Sequence, residues 1–205
     1  MIFLVGPHGV GKSTAGPLFT ECGFEVVDTG PLMRQLHARL GGALSFGEWV
    51  RQGEALHGLD FTNQVGATAA KIVLAQAAEL GREAVLLGFR SLRGIRFLLE
   101  HAAEPWERAV IVGLHGPSDE ELRQRWMARE GRSISSDDFH ALLAAERAAG
   151  LEQIYEHEHH TVVNDCGIHR FIQEIRDLSE LLAAMPHQDF NGSGMVARRM
   201  AEALV

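Results

Sequence analysis

One short stretch near the start of the chain constrains the fold more than any other. Residues 2–5 are apolar, and they are followed over 6–13 by a glycine-rich turn with the spacing G-x-x-x-x-G-K-S. A short continuous apolar run is typical of a strand that is buried on both faces. A helix is expected from residue 12 to about 21. A strand that leads through such a turn into a helix predicts a parallel α/β sheet.

The turn has the composition of a phosphate-binding loop. Gly6 and Gly11 allow backbone N–H groups to approach phosphate oxygens, and the N-terminus of the following helix adds positive potential. Lys12 places a charge on the β- and γ-phosphates, and the Ser13 hydroxyl is a ligand for Mg²⁺. ATP or GTP, together with Mg²⁺, is therefore the predicted cofactor. The predicted nucleotide contacts in this loop are Gly6, Pro7, His8, Gly9, Val10, Gly11, Lys12, Ser13 and Thr14.

Apolar runs and helical patterns alternate along the rest of the chain. The apolar runs, each typical of a buried strand, are 24–28, 84–89, 109–114 and 161–165. Helices are expected at 31–40, 45–56, 61–80, 92–101, 118–129, 138–149 and 168–184. This alternation predicts an α/β fold of three layers with a five-stranded parallel sheet.

The charge balance and the cysteine content narrow the class of protein. The chain has 205 residues and a net charge of −8, which disfavours a surface for nucleic acid or for anionic membranes. Two cysteines do not make a disulfide framework, and they suit a reducing cytoplasm. No apolar run approaches the ~20 residues that a membrane-spanning helix needs. A cytoplasmic monomer or homodimer without a membrane partner is expected.

The segment 86–91, "LLGFRS", separates this chain from two other classes of nucleotide-binding protein. GTPase switches carry an N-K-x-D motif, which is absent here, and motor ATPases usually end the corresponding strand in an acidic residue. This chain has Arg90 at that position. An arginine at the carboxyl end of a central strand faces the ligand crevice, and its guanidinium binds phosphate in a bidentate manner. The alternative for Arg90 is a surface ion pair.

Three segments resemble the nucleoside monophosphate kinase branch of the P-loop kinases, which includes adenylate, cytidylate and dephospho-coenzyme A kinases. The segments are "VVDTGPLMRQL" (26–36), "LLGFR" (86–90) and "LRQRWMAREGR" (122–132). The resemblance implies a pocket for the phosphoryl acceptor that is lined by Asp28, Thr29, Gly30, Arg34, Gly88 and Arg90. The chain departs from the family in lacking the usual aromatic neighbour of the acceptor turn.

The middle and the end of the chain are also similar to a group of nucleotide-kinase-like proteins. In that group a G-x-R-S segment, a lid and an E-R…G…V-x-N-D/E ending occur in this order. The equivalents here are 88–91, 123–132, 146–147 and 163–165. The resemblance covers about 1–182. It implies a kinase-like domain over 1–184, with acceptor-side helices at 31–80 and a lid at 123–137, followed by a tail at 185–205.

Arginines in and beside a polar stretch are expected to act on the transferring phosphoryl group. Phosphoryl transfer depends on positioning and on neutralising spread negative charge, so cations must close over the site and exclude water. With helical spacing, Arg125, Arg129 and Arg132 share one face, at i, i+4 and i+7. Arg125 and Arg129 are the predicted catalytic cations of the lid, and Arg129 is also a predicted nucleotide contact. The alternative is a solvated basic helix face.

The favoured function is transfer of the γ-phosphoryl group of ATP or GTP to a nucleoside monophosphate or another small nucleotide-like acceptor. The predicted catalytic residues are Lys12, Asp28, Arg90, Arg125 and Arg129. Asp28 is compatible with two kinds of acceptor, because a phosphate needs no general base whereas a hydroxyl must lose a proton to a group within reach. A hydroxyl-directed kinase for a coenzyme precursor or a modified nucleoside, including one within DNA, is therefore one alternative. The other is a regulatory protein that binds nucleotide without transferring phosphate.

Overall fold

Five parallel strands form one sheet at the centre of the molecule. The computed structural model describes residues 1–58, 61–101, 109–165 and 167–185. The strands are β1 (Ile2–Val5), β2 (Glu25–Asp28), β3 (Ala84–Leu87), β4 (Val110–His115) and β5 (His160–Val163). Their order in the sheet is β2-β3-β1-β4-β5, and each neighbouring pair is parallel. The predicted five-stranded parallel sheet is confirmed.

Helices connect the strands and cover both faces of the sheet. In the described residues they are α1 (Lys12–Glu21), α2 (Thr29–Leu40), α3 (Phe46–His57), α4 (Phe61–Glu79), α5 (Leu92–His101), α6 (Asp119–Glu130), α7 (Ser136–Ala148), α8 (Leu151–Tyr155) and α9 (Ile168–Ala184). The predicted α/β class is confirmed. Helix α8 is not among the predicted elements, because five residues carry too little periodicity to indicate a helix.

Two helices begin two residues earlier than the sequence pattern predicts. Asp28 accepts a hydrogen bond from the Gly30 N–H at 2.9 Å and acts as the N-cap of α2, so the helix starts at Thr29 instead of residue 31. Ser135 accepts a hydrogen bond from the Asp138 N–H in the same way, and α7 starts at Ser136. In both cases a polar side chain satisfies an N–H group of the first turn that would otherwise lack a partner.

Strand β1 lies entirely in the core and contributes to both of its layers. Its side chains point alternately to the two faces of the sheet. Ile2 and Leu4 belong to the apolar cluster that contains residues of α1 and α9, and Phe3 belongs to the cluster formed with α4 and α5. All four residues of β1 are 0% exposed. Full burial of such a side chain stabilises the fold by about 1.5–3 kcal/mol. This gain favours a central position for β1, where both of its faces are covered.

The parallel strands end at one edge of the sheet, and the loops that leave this edge form the floor of the functional region. The glycine-rich loop 6–11 follows β1, α2 follows β2, and the segment 88–91 follows β3. From β1 the chain continues to β2, which lies on one side of β1 in the sheet. From β4 it continues to β5, and both of these strands lie on the other side of β1. A crevice for ligands is expected where the connections diverge in this way.

The helices of the described ranges are all too short or too polar to cross a membrane. The last of them, α9, ends at Ala184. The predicted tail at 185–205 lies outside the described residues apart from Met185.

Gly88 allows the start of α2 to approach the end of β3, and its replacement tests this contact. A Cβ atom at Gly88, which has φ +100°, would lie 2.2 Å from Thr29 Oγ1. At Gly81, with φ +63°, an added Cβ meets nothing within 4 Å. We expect Gly81→Ala to lower the free energy of unfolding by about 1–2 kcal/mol through backbone strain alone. Gly88→Ala should cost about 1–3 kcal/mol more because of the clash, as measured by urea denaturation. Equal losses in the two variants would contradict this role of Gly88.

Candidate active site

Two adjoining cavities lie at the carboxyl edge of the sheet, one on each side of the glycine-rich loop. The loop cavity has a volume of about 410 Å³ and is lined by Gly9, Val10, Gly11, Lys12, Ser13, Thr14, Arg125, Arg129, Asn164 and Ile168. The strand-end cavity has a volume of about 770 Å³ and includes the ends of β2 and β3 and one face of α3. Both cavities are lined by Lys12, Ser13 and Arg129. These three residues therefore stand where the two cavities meet.

The backbone of the glycine-rich loop presents donors to the loop cavity. Helix α1 begins at this loop without a side-chain cap, because its N-cap is Gly11. Within the described ranges, the N–H groups of Gly9, Gly11, Lys12 and Ser13 have no hydrogen-bond acceptor. Several uncapped N–H groups at the N-terminus of a helix form a site for an anion. This arrangement has the chemistry of the predicted phosphate-binding loop.

Two glycines of the loop are also required by the protein that surrounds it. A Cβ atom at Gly9, which has φ +82°, would lie 2.5 Å from the carbonyl oxygen of Leu122 in α6. At Gly11, with φ +109°, the nearest atom would be Asn164 Nδ2 at 2.9 Å. Asn164 donates a hydrogen bond from its side chain to the Val10 carbonyl at 2.8 Å. The loop is thus supported from α6 and from the segment after β5.

Lys12 is held against its own loop. Its ammonium group donates hydrogen bonds to the carbonyl oxygens of Gly6 and Pro7, at 2.5 and 2.8 Å. Burial lowers the pKa of Lys12 to about 7, and the positive charges of Arg90 and Arg129 act in the same direction, while Glu146 and Asp28 oppose them. The lysine is therefore only partly protonated near neutral pH, and an added negative charge in the cavities would favour the protonated form.

Glu146 lines the strand-end cavity, although the sequence interpretation did not assign it to the site. It lies near the end of α7 and is 4% exposed. Its carboxylate accepts hydrogen bonds from the backbone N–H of His8 at 3.0 Å and from Arg90 Nε at 2.5 Å. Burial alone would raise the pKa of Glu146, but its contacts with His8 and the positive charges of Arg90 and Lys12 outweigh it and lower the pKa to about 2. The one sequence signal for Glu146 was its place in the E-R motif.

The predicted acceptor residues come together in the strand-end cavity. Its lining includes all six of them, namely Asp28, Thr29, Gly30, Arg34, Gly88 and Arg90. The Thr29 hydroxyl donates to the Leu87 carbonyl at 2.9 Å and joins α2 to β3. Arg34 has no ion pair or hydrogen bond with any other described residue. An arginine that lines a cavity without a protein partner is suited to bind an anionic ligand.

One face of α3 contributes residues that the sequence interpretation did not single out. Phe46, Val50, Arg51 and Glu54 line the strand-end cavity and follow the spacing i, i+4, i+5 and i+8 along the helix. Burial raises the pKa of Glu54. The helical spacing was visible in the sequence, but nothing local indicated that this face of α3 turns towards β2 and β3. The cavity therefore offers an apolar wall together with two further charged groups.

The predicted lid arginines differ in what they contact. Arg125 donates to the Asn164 carbonyl at 3.1 Å and to Glu121 at 2.6 Å, and it lines the loop cavity. Arg129 pairs with Glu130 at 2.8 Å and lines both cavities. Both arginines lie beside the glycine-rich loop, and their role as catalytic cations stays a prediction.

The expected alignment of Arg132 with these two arginines is wrong. Helix α6 ends at Glu130, where Gly131 takes a φ of 65° as the C-cap. Arg132 therefore lies beyond the helix, and its guanidinium carbon is 5.1 Å from the centre of the Trp126 ring. This cation–π contact attaches the segment after α6 to the core. The basic face of α6 consists of two arginines at the cavities instead of three.

Comparison with solved structures relates this geometry to known proteins. A shikimate kinase from Acinetobacter baumannii, solved in complex with shikimate, is 20% identical over 88% of this chain and 89% of that chain, with a TM-score of 0.52. The protein TT1252 from Thermus thermophilus is 22% identical over 90% of this chain and 97% of that chain, with a TM-score of 0.53. The chain therefore shares its overall fold with these two solved structures.

The comparisons support the sequence-based resemblance at the level of the fold. The nucleoside monophosphate kinase branch, which the sequence segments resemble, stays a prediction, because identities near 20% carry information on the fold alone. No protein-family model matches the chain, and no curated protein matches it.

The lowered pKa of Lys12 predicts that binding of ATP takes up a proton. With a pKa of about 7, Lys12 is largely neutral at pH 8.5, and the phosphates of a bound nucleotide restore its charge. We expect uptake of up to about one proton per ATP at pH 8.5, falling towards zero below pH 6, where Lys12 is already protonated. Calorimetric titrations in buffers of different ionisation enthalpy measure this quantity.

Lys12→Arg is the matched control for proton uptake. Arginine keeps the positive charge and stays protonated throughout this pH range, so the variant should bind ATP with little proton uptake at pH 8.5. The same uptake in the variant and in the wild type would assign the proton to another group.

Proposed function

We propose that this protein transfers the terminal phosphoryl group of ATP or GTP to a small anionic acceptor, with a nucleoside monophosphate or a similar nucleotide as the favoured class. One observation carries the proposal: Lys12, Ser13 and Arg129 line the loop cavity and the strand-end cavity together. A donor in the first cavity and an acceptor in the second would meet at these three side chains. Positioning of two reactants side by side is the main task of an enzyme in phosphoryl transfer.

The residues of the loop cavity fit a nucleotide with Mg²⁺. The unpaired N–H groups of the loop are donors for phosphate oxygens, and the N-terminus of α1 adds positive potential. Ser13 and Asp28 provide oxygen atoms on the wall of the strand-end cavity, and Mg²⁺ prefers oxygen ligands. In the described residues no group of three or more His, Cys, Asp or Glu side chains could hold a metal. This agrees with an ion that is bound mainly by substrate phosphates and water.

The side chains of the shared wall have complementary roles in the transfer. When bound, the nucleotide and its metal ion supply the phosphoryl group and part of the charge neutralisation. Lys12 and Arg129 line both cavities and would add positive charge where the phosphate reacts, and Arg125 would add charge from the loop cavity. Preorganised donors of this kind stabilise charge that spreads in the transition state, each by about 3–4 kcal/mol.

The acceptor is proposed to be anionic because of the arginines in the strand-end cavity. Arg34 on α2 and Arg51 on α3 line it from two elements, and Arg90 lines it from the end of β3. The volume of about 770 Å³ lies within the usual range for small-molecule sites. The apolar residues Met33, Phe46 and Val50 give this cavity a surface for a base or another flat apolar group.

A screen for ADP release tests the proposed function. We expect ATP consumption that depends on an added nucleoside monophosphate, deoxynucleotide or dephospho-coenzyme A. Lys12→Ala should lower kcat by at least about 10²-fold, since it removes one preorganised charge from the reacting phosphate. Lys71→Ala is the control, because Lys71 on α4 is the other lysine of the chain and does not line either cavity. Binding of ATP without ADP release for any acceptor would favour a nucleotide-binding regulatory protein.

A hydroxyl acceptor is the second candidate, and the position of Asp28 favours it. Asp28 lines the strand-end cavity together with Lys12 and Ser13, and its charge acts on Lys12. A carboxylate beside the reacting phosphate suits the removal of a proton from an acceptor hydroxyl. A phosphate acceptor, in contrast, would experience repulsion from the same carboxylate.

The variant Asp28→Asn distinguishes the two acceptors. Asparagine is also a good N-cap, so the hydrogen bond to the Gly30 N–H that begins α2 is retained. A hydroxyl acceptor predicts a loss of kcat of about 10²–10⁴-fold. A phosphate acceptor predicts a change within about tenfold in kcat, with any loss in KM, because only positioning is altered. Steady-state kinetics with the acceptor found in the screen decides between them.

A further inference from the structure

We propose that Glu146 is a positioning residue that couples the glycine-rich loop to the acceptor side of the site, by selecting one tautomer of His8 and orienting Arg90. The part of this inference that concerns turnover rests on the proposed function. The part that concerns His8 does not. No motif assigns a role to His8 beyond its place in the loop, and the E-R motif does not say what Glu146 contacts.

The buried carboxylate of Glu146 joins three separate segments of the chain. Its Oε2 accepts from the backbone N–H of His8, which follows β1, at 3.0 Å. Its Oε1 lies 2.6 Å from His8 Nδ1 and accepts from Arg90 Nε, which follows β3, at 2.5 Å. Glu146 itself belongs to α7, the helix that begins at the end of the predicted lid (123–137). One side chain thus connects the glycine-rich loop, the end of β3 and α7.

The contacts of His8 determine where its proton lies. Nδ1 lies 2.6 Å from Glu146 Oε1, although the two atoms do not meet the geometry of a hydrogen bond. A lone pair on Nδ1 would be repelled by the ionised carboxylate at this distance, so Nδ1 must carry the hydrogen. A guanidinium only donates, and Arg90 Nη2 lies 3.2 Å from His8 Nε2, so Nε2 must be the acceptor. Both conditions are met by the neutral Nδ1–H tautomer. A second proton on Nε2 would point at the Arg90 cation, and Lys12 adds a further positive charge nearby.

The electrostatic setting of His8 agrees with a neutral ring. Burial lowers the pKa of His8, and the charges of Arg90 and Lys12 lower it further, while Glu146 opposes this change. The ring is 24% exposed and lines the strand-end cavity. His8 therefore acts as an uncharged connection between the carboxylate and the guanidinium.

Arg90 is fixed by the same network. Its Nε donates to Glu146 and its Nη2 donates to His8, and Arg90 also lines the strand-end cavity. Two donor atoms held at once set the plane of a guanidinium, which matters for bidentate binding of an anion. Because Glu146 binds the loop backbone as well, a shift of the loop on nucleotide binding is transmitted to Arg90. Coupling between two sites is reciprocal in binding free energy.

Nitrogen-15 NMR of the imidazole groups in the full chain tests the tautomer, with His8→Gln used to assign the His8 signals. We expect wild-type His8 to be the neutral Nδ1–H tautomer at pH 7. In Glu146→Ala the ring loses the negative charge beside Nδ1, and the Nε2–H tautomer should become the major form. A charged ring or an Nε2–H tautomer in the wild type would overturn the inference, as would an unchanged tautomer in the variant.

Kinetics tests whether Glu146 acts through Arg90, using the acceptor that gives the most ADP release in the screen. Glu146→Gln and Arg90→Gln should each lower kcat/KM for the acceptor by about 10- to 100-fold. The combined loss in the double variant should be clearly smaller than the product of the two single losses, because part of the effect of Glu146 passes through Arg90. Multiplied losses in the double variant would contradict a role through Arg90.

The controls separate positioning from a merely structural role. Glu152→Gln changes an exposed acid on α8 and should leave kcat/KM unchanged. If Glu146→Gln lowers the Tm but leaves kcat/KM unchanged, Glu146 has a structural role only, and the inference is overturned. If His8 shows the expected tautomer but no acceptor is phosphorylated, the proposed function fails while the assignment of Glu146 to the His8 tautomer stands. Turnover together with the wrong tautomer would support the proposed function and overturn the role of Glu146.

Discussion

The burial of β1 between two neighbouring strands is the constraint on which the rest of the structure depends. β1 pairs with β3 on one side and with β4 on the other, so the glycine-rich loop leaves the sheet at its centre. The segment after β3 then forms a wall of the strand-end cavity, and Asn164 after β5 forms a wall of the loop cavity. A loop after an edge strand would have only one such wall. The position of β1 therefore makes two cavities around one loop.

Most of the cationic side chains at the site already make hydrogen bonds or ion pairs with acceptors in the protein. Arg90 is paired with Glu146, Arg125 with Glu121, and Lys12 with two loop carbonyls. A phosphate that binds there exchanges one set of charge-assisted hydrogen bonds for another, so the net gain per cation is smaller than the strength of each bond. Glu146 differs from the other acids because it is buried and cannot turn to water.

The glycines of the loop serve packing as well as ligand approach. Gly9 lies against the backbone of Leu122, and Gly11 lies against Asn164 and Phe171. These contacts tie the loop to α6, which carries Arg125 and Arg129, and to the start of α9. The loop, these two arginines and the end of β5 are therefore mechanically connected. A substitution at either glycine would displace these neighbours even where the phosphate contacts were kept.

Local patterns in the sequence determined the strands, most of the helices and the glycine-rich loop, because burial on both faces, helical spacing and glycine-rich turns leave a signature within a few residues. The resemblance to the nucleoside monophosphate kinases implied that Asp28, Arg34 and Arg90 line one pocket, and in the structure they line one cavity. Only the tertiary structure decided that Glu146, Arg51 and Glu54 face that cavity, and that Arg132 does not. Glu146 lies 138 residues from His8 and 56 from Arg90. No local period encodes such distances, because they follow from how whole helices pack on the sheet.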